Sequence, residues 1–250
     1  MQVIVNDLLV HYDRSGTTGR EILVIPGWAD TVQSWREFIR QLSKEYTVTS
    51  VDVPGFGGSE PPHNAWNVTD YAMFIKDFLV KTDTTPYAIV GHSNGGSIAI
   101  RLASQLGRVR PRLVLFASAG VRGEKDARRS ALRFGTKVAK ALSRPLPKAV
   151  RKRLRVQLYG SVGSDMLVAE HMQETFKRIV ADDVRESARK LKNKTLLIYG
   201  EADTQTPVSH GEKLQECIGD SRLVVVPGAG HFVHLDQPES VLRFTKEFLK

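Results

Sequence analysis

A serine between glycines separates a strand pattern from a helix pattern near the middle of the chain. Residues 87–90 form a short apolar run, the motif G-H-S-N-G follows at residues 91–95, and an apolar helical pattern continues through residues 97–103. In such a sharp turn the serine backbone is strained, and glycines two residues to either side give strand and helix room to approach. The pattern predicts a strand-to-helix turn that presents Ser93 as a nucleophile.

Apolar, β-branched runs recur along the whole chain and alternate with helical patterns. Near-continuous apolar runs are typical of strands in a parallel sheet that is buried on both faces. Helical spacing of apolar residues occurs at residues 35–42, 71–79 and 241–249. The fold class predicted is α/β, a mostly parallel sheet with helices on both faces. The strand runs lie at residues 8–12, 22–25, 48–51, 87–90, 113–116, 195–199 and 223–226.

One interval lacks any strand pattern. Residues 122–191 contain only helix-like segments, interrupted by prolines and glycines. These roughly seventy residues are far more than a crossover between two strands needs. We therefore expect a helical insertion at 122–191 over one edge of a core formed by residues 1–121 and 192–250.

The composition is that of a globular protein large enough to bury a full core. The chain has 250 residues, of which 41% are hydrophobic and 25% are charged. The single cysteine, Cys217, excludes a disulfide framework and a multi-cysteine metal site. The sequence shows no signal-peptide pattern and no apolar run near the ~18 residues of a membrane span. We therefore expect a cytoplasmic protein.

Two further polar residues follow strand patterns. Asp203 comes after the run at 195–199, and His231 comes after the run at 223–226. The carboxyl ends of parallel strands meet at the edge of the sheet where ligands bind. A nucleophilic serine on such a sheet takes its acid and then its histidine from later in the chain. We predict Ser93, Asp203 and His231 as catalytic residues.

These assignments have rivals. Glu201 is an alternative acid, but Asp203 lies further into the loop, where it can turn toward a histidine. His92 and His234 are interpreted as structural histidines, and a locally satisfied loop histidine stays the alternative for His231. No metal-ligand spacing occurs, so neither a metal nor a cofactor is expected. The remaining histidines are scattered, at His11, His63, His171 and His210.

A developing oxyanion needs fixed hydrogen-bond donors. The usual pair is the backbone N–H after the nucleophile and one from the loop after the third strand. In this chain these N–H groups belong to Asn94 and Trp28. The Trp28 indole is either a wall of the substrate pocket or a packed core side chain.

Together these motifs resemble the α/β-hydrolase superfamily, in its small form with a helical cap. The resemblance implies that residues 122–191 form a cap that closes over the active site and sets substrate choice. Pro26 stands where the family usually has a histidine, so a side-chain hydrogen bond of the oxyanion loop is lost. The matching motifs lie at residues 26–28, 34–35, 52–59, 91–96, 200–207, 230–231 and 237–239.

A serine at position 93 resembles the acyl-transferring members, whereas epoxide hydrolases and haloalkane dehalogenases carry an aspartate there. The resemblance implies hydrolysis of a small-molecule carboxylic ester through an acyl-enzyme on Ser93. Lactone or thioester hydrolysis is open, as is carbon–carbon bond hydrolysis of ring-cleavage products, although enzymes of that kind often have Asn where this chain has His92. A receptor-like protein that only binds its ligand is the alternative without catalysis.

Positive charge is concentrated in one stretch. The net charge is +9, and residues 122–155 contain thirteen Lys and Arg against two acidic residues. Apolar residues at loosely helical spacing indicate basic amphipathic helices, whose charged face is either simply solvated or contacts an anionic membrane surface. No nucleic-acid partner is expected, because no helix-turn-helix, zinc-finger or RNP motif occurs and the glycine-rich segment 55–59 lacks the lysine of a P-loop.

Overall fold

A computed structural model describes residues 1–17, 19–122 and 172–250. Its central element is an eight-stranded sheet with the order β1-β2-β4-β3-β5-β6-β7-β8. The strands are β1 (Gln2–Val5), β2 (Leu8–Ser15), β3 (Glu21–Ile25), β4 (Thr47–Val51), β5 (Ala88–His92), β6 (Arg112–Phe116), β7 (Thr195–Gly200) and β8 (Ser221–Val226).

Helices connect most of these strands. A 3₁₀ turn at Val32–Trp35 leads into the first helix. Between β5 and the helix that follows it there is a single residue, Ser93. The described helices are α1 (Arg36–Leu42), α2 (Val68–Lys81), α3 (Asn94–Ala103), α4 (Gln173–Ala181), α5 (Arg185–Lys190), α6 (Val208–Cys217), α7 (Val233–Asp236) and α8 (Pro238–Leu249).

The sheet is mostly parallel, as predicted. All pairings from β4 through β3, β5, β6 and β7 to β8 are parallel, and β1 and β2 join antiparallel at one edge. The central strands are buried almost throughout, which is why their sequences are continuous apolar runs. Because the strands are parallel, the loops after β3, β4, β5, β6, β7 and β8 leave the same edge of the sheet.

The sequence analysis missed β1. Its four residues pair with β2 across a two-residue turn, in which Asn6 and Asp7 have φ values of 47° and 62°. Positive φ at both central positions is the geometry of a tight hairpin, and Asn and Asp tolerate it. The strand lies at the edge, is mostly exposed, and has an apolar run of only three residues, Val3–Val5.

The two faces of the sheet are covered by different helices. On one face Ile22, Val24 and Val90 pack with Trp35 and with apolar residues of α1 and α8. The alternate strand residues point to the other face, which α3 covers and where α2 packs against α3. Helices on both faces are therefore confirmed.

The described end of the predicted insertion lies against the core. Arg101 of α3 donates hydrogen bonds to Asp182 (2.7 Å) and Ser187 (3.1 Å), and Val184 N–H donates to the Gly120 carbonyl (2.8 Å). Residues 172–250 belong to the same compact unit as residues 1–121.

The rest of the predicted insertion, residues 123–171, lies outside the described residues, and with it all of the basic stretch except Arg122. Both interpretations of its charged face, solvation and contact with an anionic membrane surface, therefore concern those residues. None of the helices within the described ranges combines the length and the hydropathy needed to cross a membrane.

Candidate active site

Ser93 lies at a strained turn between β5 and α3. Its φ of 50° and ψ of −116° are rare for a residue with a side chain, and such conformations cost roughly 1–3 kcal/mol. Neighbouring backbone holds it: Ser93 N–H donates to the Phe116 carbonyl (2.9 Å), while Ala119 N–H (3.0 Å) and Gly96 N–H (3.1 Å) donate to the Ser93 carbonyl. The turn is held by hydrogen bonds on both sides, so the backbone sets the direction of the Ser93 side chain.

The glycines of the motif allow this close approach. A Cβ atom at Gly95 would overlap the carbonyl oxygens of Ile25 and Pro26, at the end of β3. A Cβ atom at Gly91 would lie 2.6 Å from the Gly95 carbonyl oxygen, which is shorter than any normal contact. The glycine spacing is therefore a packing requirement of this turn, as the sequence predicts.

Asp203 and His231 meet at the same edge of the sheet. The Nδ1 atom of His231 lies 2.8 Å from Oδ2 of Asp203, and both side chains are almost fully buried. Since an ionised carboxylate only accepts hydrogen bonds, the proton of a neutral His231 ring lies on Nδ1. The other ring nitrogen, Nε2, is then free of a proton and can act as a base.

Thr206 completes the surroundings of Asp203, a role that the sequence analysis missed. Its hydroxyl lies 2.7 Å from Asp203 Oδ2 and 3.1 Å from His231 Nδ1, while the N–H groups of Gln205 (2.8 Å) and Thr206 (3.0 Å) donate to Asp203 Oδ1. An aspartate whose side chain accepts from the next few N–H groups is a common turn motif, so the sequence D-T-Q-T carried this signal.

These contacts decide the charge state of Asp203. Burial raises the pKa of its carboxyl, but the hydrogen bond and charge of His231 and the hydrogen bonds of Thr206 outweigh it, and the pKa is lowered below its ordinary value. Asp203 is therefore an anion at neutral pH and an acceptor for the His231 proton.

The rival acid points elsewhere. The exposed Glu201 carboxylate accepts a hydrogen bond from Gly228 N–H (3.1 Å), in the loop after β8. His231 itself lies beside the serine turn, since its ring centre is 4.8 Å from that of His92, the residue before Ser93. The structure therefore brings His231 together with Asp203 at the end of β5.

The two residues predicted to bind an oxyanion lie on either side of Ser93. A Cβ atom at Gly27 would lie 3.3 Å from Cβ of Ser93, so the chain entering Trp28 passes directly beside the serine. Asn94 is the first residue of α3, where backbone N–H groups have no acceptor within the helix and carry partial positive charge. The placement suits donation to an oxygen held near Ser93.

Asp52 fixes the loops that surround Trp28. Its carboxylate accepts hydrogen bonds from Val32 N–H (2.9 Å) and Gly58 N–H (3.0 Å) and lies 2.8 Å from Nδ1 of His11. At Gly57, with φ of 56°, a Cβ atom would overlap this carboxylate. The motif at 52–59 thus ties the loop after β4 to the loop after β3.

The Trp28 indole belongs to an aromatic cluster that is partly exposed. It contacts Phe56 edge to face at 4.7 Å between ring centres and Phe176 of α4 at 5.1 Å. Trp28 and Phe176 each keep part of their surface exposed. Of the two interpretations left by the sequence, partial exposure beside Ser93 favours a pocket wall over a fully packed core side chain.

Two further histidines are buried next to this site. His234 stacks on Trp35 with 4.0 Å between ring centres, and neither of its ring nitrogens has a hydrogen-bond partner among the residues that the structure describes. Burial lowers the pKa of His234 to about 3, and the charge of His231 acts in the same direction. His234 is therefore neutral, as expected of a structural histidine.

This neutral histidine predicts a pH-dependent stability. Below pH 6.5 the unfolded chain protonates His234 and the folded chain does not, so folding loses about 1.4 kcal/mol per pH unit at this residue until its folded pKa is reached. His234→Phe keeps a ring against Trp35 and removes the titrating group. The free energy of unfolding, measured in urea between about pH 6 and pH 4, should fall less steeply in the variant. Parallel curves would contradict the buried neutral state.

No metal site lies in the part of the chain that the structure describes, since residues 1–17, 19–122 and 172–250 contain no group of three or more His, Cys, Asp or Glu that could hold an ion.

A comparison with protein families gives one match. The profile described as "Alpha/beta hydrolase family" matches residues 22–244. That range contains every residue of the candidate site and runs from β3 into α8.

Curated relatives include two hydrolases that are named for different substrates. The pimeloyl-[acyl-carrier protein] methyl ester esterase of Nitrosomonas europaea is 27% identical over 254 residues, which is 92% of this chain and 95% of the relative. The 2-hydroxy-6-oxo-6-phenylhexa-2,4-dienoate hydrolase of Comamonas testosteroni is 23% identical over 266 residues, 98% of this chain and 92% of the relative.

Among solved structures, a bacterial membrane phospholipase A has a similar fold. The TM-score is 0.80 with 23% identity, over 100% of this chain and 84% of the phospholipase chain. At this identity the likeness concerns the fold alone.

Proposed function

The chain belongs to the alpha/beta hydrolase family, and on that premise we propose that it hydrolyses carboxylic esters through an acyl-enzyme on Ser93. The observation that carries the proposal is the 2.8 Å hydrogen bond between His231 Nδ1 and Asp203, formed beside a serine that a strained turn presents to the same edge. The pimeloyl-[acyl-carrier protein] methyl ester esterase of Nitrosomonas europaea, to which this chain is similar over most of its length, supports the ester class.

In the first half-reaction Ser93 attacks the ester carbonyl while Nε2 of His231 takes the hydroxyl proton. Asp203 holds the ring by its Nδ1–H and stabilises the imidazolium that forms. The same imidazolium then donates its proton to the departing alkoxide, which leaves as the alcohol.

The carbonyl oxygen becomes an oxyanion during this attack. The backbone N–H groups of Trp28 and Asn94 are the proposed donors, because both lie beside Ser93. In the second half-reaction water, deprotonated by His231, attacks the acyl-enzyme and releases the carboxylic acid.

The aromatic surface near Ser93 favours an apolar acyl group. Trp28, Phe56 and Phe176 form a continuous set of ring contacts, and Trp28 lies next to the carbonyl position proposed above. Burial of methylene groups against such a surface contributes about 0.8 kcal/mol each. Within the limits of the pocket, kcat/KM should therefore rise with acyl chain length.

A panel of p-nitrophenyl esters of graded acyl length tests the proposal. The expected result is turnover with a burst of p-nitrophenol equal to the enzyme concentration when deacylation is slow. A serine-directed fluorophosphonate should label Ser93 and stop the reaction. If the protein turns over no ester and Ser93 is not labelled, the assignment is overturned. A ligand that binds without turnover would favour the receptor-like alternative.

Carbon–carbon bond hydrolysis is the second candidate, since a relative 23% identical over 98% of this chain is named as a 2-hydroxy-6-oxo-6-phenylhexa-2,4-dienoate hydrolase. Ser93, Asp203 and His231 would be the catalytic residues of that reaction as well. A vinylogous 2-hydroxy-6-oxo-dienoate tested beside the esters separates the candidates by their relative kcat/KM.

A further inference from the structure

His92 has a contact that the proposed reaction does not yet use. Its ring is fully buried, and Nε2 lies 3.0 Å from the backbone carbonyl oxygen of His231, 139 residues away along the chain. A carbonyl oxygen only accepts hydrogen bonds, so the His92 proton is on Nε2. The residue before the proposed nucleophile therefore holds the backbone of the proposed base.

The rest of the His92 ring is enclosed. A Cβ atom at Gly27 would lie 2.8 Å from Nδ1 of His92, and the ring packs against Trp35 and Phe232 at 6.1 Å and 5.1 Å between ring centres. Nδ1 has no hydrogen-bond partner among the described residues. The ring is thus fixed in place, and within the described part of the chain its single hydrogen bond is the one to the His231 carbonyl.

The His92 ring is uncharged at neutral pH. The groups that face His92 are His231, His234 and Asp30. Burial and the charges of the two histidines together lower the pKa of His92 to about 3, and the hydrogen bond to His231 and the charge of Asp30 only partly oppose this. His92 is therefore neutral at neutral pH, and its one ring proton is the Nε2–H that the His231 carbonyl accepts.

We propose that His92 is a positioning residue whose Nε2–H fixes the His231 backbone and so keeps the His231 imidazole between Asp203 and Ser93. The proposal rests on the proposed function for its effect on rate. Two anchors then hold His231: Asp203 fixes the ring through Nδ1, and His92 fixes the main chain beneath it. A displacement of about 1 Å in a reacting group can cost about 10²-fold in rate.

Three variants separate the hydrogen bond from the volume of the ring. His92→Leu removes the donor and should lower kcat by about 10²-fold with KM within about twofold. In His92→Gln the amide nitrogen stands close to the position of Nε2, so this variant should recover most of kcat. In His92→Asn the amide nitrogen stands near the position of Nδ1. The asparagine side chain is too short to reach the His231 carbonyl, so this variant should not recover kcat.

His234→Phe is the matched control. His234 is also a buried neutral histidine beside Trp35, but the described structure gives it no hydrogen bond to the His231 loop. The His234→Phe variant tests whether the loss of a buried imidazole by itself disturbs the site. We expect kcat within about threefold of the wild type at equal folded fraction.

A measurement without substrate keeps the proposal independent of the ester assignment. The Nδ1–H proton of His231, hydrogen-bonded to Asp203, should give a low-field proton NMR signal in the wild type, in His92→Gln and in His234→Phe. The signal should broaden or vanish in folded His92→Leu, because a freed loop exposes the proton to exchange with water.

The outcomes are distinct. Wild-type kcat in folded His92→Leu, equal recovery by Asn and Gln, or an unchanged low-field signal in His92→Leu would each overturn the positioning role. If the wild type turns over no ester, the proposed function fails, and the NMR comparison alone decides the role of His92.

Discussion

Ser93→Ala is expected to lower kcat for ester hydrolysis by about 10⁶-fold, the loss that removal of the nucleophile causes in a serine protease. The expectation follows from the turn between β5 and α3, which presents this one hydroxyl to the edge where Asp203 and His231 meet. Steady-state kinetics with the best p-nitrophenyl ester measure the loss. Fluorophosphonate labelling should disappear in the same variant.

The variant should stay folded. Alanine keeps the Cβ atom and the backbone hydrogen bonds to Phe116 and Ala119, so the free energy of unfolding should change by less than about 1 kcal/mol. Ser93→Gly is expected to be equally inactive and no less stable, because glycine adopts a φ of 50° without strain. Loss of activity together with preserved or raised stability is the pattern of a strained functional residue.

Ser104→Ala is the matched control, since Ser104 lies just after the other end of α3 and its hydroxyl donates to the Arg101 carbonyl, within its own helix. It should keep wild-type turnover. Stable labelling of another serine, or turnover in purified Ser93→Ala within about 10²-fold of wild type, would remove Ser93 from the reaction.

Apolar runs predicted the fold class and every strand except β1. Such runs are informative because β3, β5, β6 and β7 are buried on both faces, and burial leaves a continuous record in the sequence. The exposed edge strand Gln2–Val5 has an apolar run of only three residues, and the Asn6-Asp7 turn is the second signal of a hairpin there. A three-residue run does not by itself predict a strand, whereas the longer run Leu223–Val226 predicts β8 even though most of that strand is not buried.

The placement of Asp203 and His231 at one sheet edge followed from topology, because both come directly after parallel strands. The choice between Asp203 and Glu201 is a matter of where two side chains in one loop point, and the structure gives Glu201 a different partner, Gly228. The hydrogen bond from His92 to the His231 carbonyl joins residues that are 139 positions apart in the sequence. Its acceptor is a backbone oxygen, which every residue has, so no pattern of residue types predicts this contact.

Asp203→Asn is expected to lower kcat by about 10⁴-fold with little change in KM. The geometry supplies the reason: Asp203 Oδ2 accepts from His231 Nδ1, which leaves Nε2 without a proton. An asparagine that turns its NH₂ group toward Nδ1 would instead favour the tautomer with the proton on Nε2, and that ring cannot act as a base. The pKa of the Asp203 carboxyl lies below its ordinary value, so the carboxylate acceptor is present throughout the neutral range.

Glu201→Gln is the control, because Glu201 stands two residues away in the same loop and its carboxylate instead accepts from Gly228. It should keep kcat within about threefold of the wild type. The fold of Asp203→Asn can be checked by its thermal midpoint, since the amide oxygen still accepts from Gln205 and Thr206 N–H. A crippled Glu201→Gln with a nearly active Asp203→Asn would reassign the acid, whereas two nearly active variants would mean that His231 needs no acid at all.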